Sequence, residues 1–119
     1  MGWRNPLELT EFEVHSEAYF NLKNTFKNVR GEFHFKKDGV QAARFDIVIL
    51  NDSNELEFIV EVKKSASSKS KTQLYKYEYL TGKPVMYIKG MEAALKASEL
   101  VSNALDSLGK TELKKELTK

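Results

Sequence analysis

The spacing of apolar residues changes several times along the chain, and each change marks an element. From Thr10 to about Lys27, Val14, Ala18, Tyr19, Leu22 and Phe26 recur at helical spacing. Thr10-Glu11-Phe12-Glu13 has the form of a capping box, so the helix is predicted to start at Thr10. Val29 to Lys36 alternates instead, with Val29, Gly31, Phe33 and Phe35 against Arg30, Glu32, His34 and Lys36, the pattern of a strand with one wet face. Lys37-Asp38-Gly39 then supplies a turn.

Arg44 to Lys63, RFDIVILNDSNELEFIVEVK, is an apolar run, a polar turn at Asn51-Asp52-Ser53-Asn54 and a second apolar run, which together read as a β-hairpin. Alternation puts Arg44, Asp46, Val48 and Leu50 on one face and Phe45, Ile47 and Ile49 on the other. In the second run Phe58, Val60 and Val62 oppose Glu57, Ile59, Glu61 and Lys63. A basic, serine-rich segment, residues 63–71, leads to a helix over QLYKYEYLTG, closed by Gly82 in a left-handed cap. Lys83-Pro84 opens the buried strand PVMYI, Met91 to Leu108 is an amphipathic helix, and KTELKKELTK reads as a frayed polar helix. Short turns make the first three strands antiparallel, while the helical crossover makes the fourth parallel to the third. The predicted fold is α/β, a mixed four-stranded sheet with helices on both faces.

The hairpin carries charges where its neighbours are Phe, Ile and Val. A charge buried there costs several kcal/mol unless it is paired or binds a metal. Asp46 and Glu61 form a hard-oxygen pair suited to Mg2+, and Lys63 projects beside Glu61, roughly 6–7 Å along the strand. The lysine could orient or deprotonate an attacking water, or steady a phosphoryl oxygen. By spacing alone, a structural ion pair of Lys63 with Glu61 or Asp46 fits equally well. Glu11 falls within the apolar stripe of the first helix, either as a first-turn glutamate favoured by the helix dipole or as a third acid reaching the same site. The basic segment reads equally as a solvated loop or as a phosphate-contacting one. His15 is expected to pack and His34 to be solvated.

Composition narrows the class. A chain of 119 residues with 41% hydrophobic and 30% charged residues is one ordinary globular domain. The absence of cysteine excludes thiolate zinc sites and disulfides and is compatible with a reducing cytoplasm. No apolar run approaches a membrane span, and the N-terminus lacks the apolar core of a signal peptide. A net charge of +2 means that nucleic-acid binding must come from local clustering.

Taken together, Glu11, Asp46, Glu61-Val62-Lys63 and the element order resemble the PD-(D/E)XK nuclease superfamily. Arg44-x-Asp46, Gln73-x3-Tyr77 and the Lys83-Pro84-Val85 strand are most similar to the N-terminal nuclease domain of type I restriction enzyme motor subunits. The resemblance spans about residues 10 to 105, with Phe45 in place of the name-giving proline, and the chain is also similar in size to small Holliday-junction resolvases and VRR-NUC nucleases.

The resemblance implies a restriction-endonuclease-like αβββαβα core over about residues 10–108, with 109–119 a polar tail. It implies a Mg2+-dependent DNA endonuclease in which Mn2+ can substitute, with Asp46, Glu61, the Val62 carbonyl and Glu11 around the metal. Lys63 would position the attacking water, and Gln73 and Tyr77 would contact the substrate backbone or hold the lysine. Lys64, Lys69, Lys71 and Arg44 would bind DNA. Nothing matches the helicase motor of type I enzymes, so no nucleotide cofactor is expected. Cutting both strands would call for a homodimer, with the last helix as a candidate interface. The alternatives are a non-catalytic nucleic-acid-binding module of the same fold, a structure-specific junction resolvase, and a small structural protein.

Overall fold

The computed structural model describes residues 11–64 and 71–115, and only the backbone of 71–74. Its elements are α1 (Glu11–Lys23), β1 (Val29–Lys37), β2 (Val40–Leu50), β3 (Leu56–Lys63), α2 (Lys71–Thr81), β4 (Val85–Lys89), α3 (Met91–Leu95), α4 (Ala97–Ser107) and a 3-10 turn over Thr111–Leu113. The sheet order is β1-β2-β3-β4. The first three strands are antiparallel, and β4 runs parallel to β3. This is the expected mixed α/β sheet.

Turn chemistry fixes the hairpins. Lys37 pairs with Val40 across Asp38-Gly39, both at positive φ (55° and 81°), the twist that a two-residue hairpin requires. Asn51 Oδ1 accepts from the backbone N–H of Ser53 (2.8 Å) and Glu55 (3.0 Å), closing the β2–β3 turn. Gly82, at φ +70°, ends α2 by donating to the Glu78 carbonyl at 2.8 Å.

Two cores cover the two faces of the sheet. On one, Val14, Ala18 and Leu22 of α1 and Ala97, Val101 and Leu105 of α4 meet Ile47, Ile49, Phe58, Val60 and Val62. On the other, Tyr77 of α2 meets Phe45, Val48, Leu50, Ile59 and Val85. Each fully buried large apolar side chain contributes about 1.5–3 kcal/mol, so these clusters fix which faces α1 and α2 occupy.

Strict alternation fails at one level of the sheet. Phe45 was expected beside Ile47 and Ile49, but it packs in the opposite cluster with Val48 and Leu50. In β1, Val29 belongs to the α1 side, whereas Phe33 and Phe35 pack on the α2 side. The slip falls at Glu32, whose φ is +48°, and at the facing Asp46, both unpaired between Gly31↔Ile47 and Phe33↔Phe45; a separate bulge follows between Phe35 and Lys36.

Three further expectations change. The first helix ends at Lys23 rather than near Lys27, and Phe26 instead bridges to Lys114. The capping role of Thr10 lies outside the described residues. The last helix is broken at Lys96 because Asn21 of α1 takes both new ends: its Nδ2 donates to the Leu95 carbonyl (3.0 Å) and its Oδ1 accepts from the Ser98 N–H (2.8 Å). The C-terminal residues form no polar helix as far as they are described. Leu113 is 2% exposed within the first core, and Lys115 N–H donates to the Thr25 carbonyl at 2.7 Å.

Candidate active site at a fork between strands

Asp46 lies where the central ladder opens. The β2–β3 register begins at Ile47↔Val60, one step past Asp46 and Glu61, and its offset would set those two opposite each other. Their side chains fill the opening. The Asp46 N–H donates to Glu61 Oε2 (2.9 Å), and the Val62 N–H donates to Asp46 Oδ2 (2.9 Å). His15 Nε2, reaching from α1, donates to the Asp46 carbonyl at 3.1 Å. Three side-chain bonds thus stand in for ladder pairing, which is how Asp46 leaves the regular pleat without burying unsatisfied groups.

Glu61 is only 4% exposed, the one charged residue in the described core. Its pKa is pushed from 4.5 up to about 7, first by burial, with the Asp46 and Glu11 charges adding to it, against the Asp46 N–H bond and the Lys63 charge. Lys63 is half-buried and follows two residues later in β3. No direct ion pair joins Lys63 to Asp46 or Glu61 among the described residues, so the structural ion-pair alternative is not realised. Its Nζ lies instead 6.0 Å from the centre of the Tyr87 ring, and Tyr87 stands opposite Glu61 in the β3–β4 register.

A cleft of about 200 Å³ opens onto Asp46, lined by Glu11, Phe12, His15, Glu32 and Arg44. Glu11 and His15 are four apart on α1 and therefore share its face. Arg44 at the mouth approaches Glu32 at 4.0 Å and is well exposed. Glu11, Arg44 and Asp46 thus line one cleft, Glu61 and Val62 are joined to Asp46 by hydrogen bonds, and Lys63 follows in β3 with its Nζ toward Tyr87. The structure adds His15, expected only to pack, and Glu32 and Tyr87, which the sequence did not single out.

The remaining predicted residues are more scattered. Tyr77 is 8% exposed and packs edge-on against Phe45, ring centres 4.7 Å apart, so it supports the fork from beneath. Gln73 lies in α2 and Lys71 begins it, their side chains outside the described residues, as is all of Lys69. Lys64 is exposed at the end of β3. His34 is exposed, as expected, and its Nδ1 donates to Gln41 Oε1 at 2.7 Å.

Among the described residues no three acidic, histidine or cysteine side chains converge to hold a metal by themselves. The donor chemistry nevertheless fits a hard cation of the Mg2+ type, which takes one or two carboxylates and completes its shell with water and carbonyl oxygens. Two adjacent carboxylates, one with its pKa driven up by burial and by the other's charge, are the electrostatic situation that a cation relieves. Neither a protein-family model nor a characterised protein nor a solved structure matches the chain.

Proposed function

We propose that the chain is a Mg2+-dependent DNA endonuclease of the PD-(D/E)XK type. The observation that carries this reading is the Asp46–Glu61 pair, held at an opening in the ladder with Lys63 two residues on. Asp46 and Glu61, with the Val62 carbonyl and with Glu11 at the edge of the shell, would hold the cation. When bound, it neutralises charge on a phosphodiester oxygen and makes water more acidic. The protein's own groups do the rest. Lys63 orients the attacking water and offsets the charge that develops at phosphorus. His15 fixes the backbone of Asp46, and burial of Glu61 keeps bulk water from competing at the pair. Arg44 at the mouth meets the DNA backbone, whose negative charge it complements. Tyr77, packed against Phe45, supports the fork from the α2 side.

One such fork cuts one strand, so cleavage of both strands takes a symmetric homodimer. The apolar face of α4 is not available for it, because Ala97, Val101 and Leu105 are buried in the chain's own core. Sedimentation with and without DNA gives the state directly. The activity is tested on supercoiled plasmid in Mg2+ against EDTA. Nicked or linear product should form only with the metal and should vanish in Lys63→Ala. Intact plasmid after incubation with folded wild-type protein contradicts the reading.

A further inference from the structure

A second concavity, about 510 Å³, opens beyond the carboxyl ends of β3 and β4, next to the fork but separate from its cleft. The two strands finish side by side at Lys63↔Lys89, and the Gly90 N–H donates to the Lys63 carbonyl at 2.9 Å. This is the one parallel pair in the sheet, and open α/β sheets bind ligands outside the carboxyl ends of such strands. The floor is apolar: Met91 and Leu100 are half-buried, with their inner sides packed on the first core. Among the described residues that line it, the rim carries Lys64, Lys89 and Lys96 and one acid, Glu92. Lys96 is exposed there because the α3–α4 break, held by Asn21, falls at that residue. Lys63 and Lys89 approach the same Tyr87 ring, at 6.0 and 5.2 Å, so positive charge is continuous from the fork to the groove.

We infer that this groove takes unpaired nucleotides of the DNA whose phosphodiester lies at the fork. The preferred substrate is then a duplex with a single-stranded flank, such as an overhang, flap or branch, bound more tightly than a continuous duplex. The inference rests on the nuclease reading above. A single strand presents apolar base faces and a charged backbone together, matching an apolar floor with lysines at its rim. A duplex keeps its bases stacked inside and would leave Met91 and Leu100 uncovered. The volume lies within the ~300–1,000 Å³ typical of small-ligand sites, enough for one or two nucleotides.

Fluorescence anisotropy in EDTA, where the DNA stays intact, compares a blunt duplex with the same duplex carrying a 5′ or a 3′ single-stranded flank. Wild type should bind a flanked duplex at least about tenfold more tightly. The surface double variant Lys64→Ala/Lys96→Ala should lose that preference. Its log-affinity against log-salt slope should become shallower by about 1.4, at ~0.7 per phosphate contact on single strands. Lys36→Ala, on the exposed edge of β1, should behave as wild type. Equal binding of flanked and blunt duplexes, or a preference that survives in the double variant, overturns the groove assignment while leaving metal-dependent cutting in place. Absence of both DNA binding and cutting overturns the nuclease reading along with it.

Discussion

The backbone N–H of Asp46 donates to the Glu61 side chain, and one residue further along β3 the Val62 N–H donates to the Asp46 side chain, both at 2.9 Å. Asp46 and Glu61 thus hold the opened ladder together while repelling each other. Burial, with the Asp46 charge adding to it, raises the Glu61 pKa to about 7.

That relationship has a signed pH dependence. A carboxyl whose pKa rises on folding favours the fold when protonated, so its contribution is fully present below the ordinary value of 4.5 and is lost as pH climbs through about 7. Glu61→Gln keeps an oxygen to accept from Asp46 and removes the charge. In urea unfolding at pH 8 it should be more stable than wild type by up to about 3 kcal/mol, with the gain vanishing near pH 4. A difference independent of pH would mean that burial of the charge is not what sets this site's energetics.

His15 is a positioning residue acting through Asp46. His15→Leu strips the donor from a part-buried carbonyl, at a cost of about 1–3 kcal/mol. The turnover rate for DNA cleavage should fall about tenfold or more with KM for DNA little changed, and His15→Gln should restore part of it. A rise in KM with turnover intact would instead put His15 in substrate binding.

Tyr77 separates a packing role from a chemical one. Tyr77→Ala empties the space beneath Phe45 and should cost about 3–5 kcal/mol. Tyr77→Phe keeps the ring. Full activity in Tyr77→Phe makes the residue a support for the fork, whereas lost activity with unchanged stability assigns the work to its hydroxyl.

Lys110 clamps the C-terminal segment to β3. Its Nζ lies 2.8 Å from Glu57 Oε1 and holds the Glu57 carboxyl below its ordinary pKa. Stability from the pair is present above the ordinary glutamate value and lost as pH falls through the lowered one. Lys110→Ala should cost about 1 kcal/mol at pH 7, with the cost shrinking as pH falls below the ordinary glutamate value, as measured by chemical unfolding.

The elements legible in the sequence are those whose pattern is local. The alternating strands, the Asp38-Gly39 and Asn51 turns, the Gly82 cap and the antiparallel-then-parallel order follow from spacing and turn chemistry. Asp46, Glu61 and Lys63 stood out because charge among Phe, Ile and Val needs a reason. What escaped depends on contacts distant in the chain. His15 acquires its role from residue 46, the α3–α4 break comes from Asn21, and Leu113 docks beside Phe26. Period-2 alternation puts Phe45 on the wrong face because it assumes that both backbone groups of Asp46 stay in the ladder, and here they bond to Glu61 and His15. A charged residue in mid-strand is thus also a signal that alternation can slip there.

The central claim is that the Asp46–Glu61 fork is a hard-cation site. Calorimetric titration of Mn2+ or Mg2+ into wild type and into Asp46→Asn, at pH 8 with folding checked by circular dichroism, tests it most directly. The wild type should show one saturable site that is lost in folded Asp46→Asn. Equal binding by the two proteins, or none by either, would contradict it.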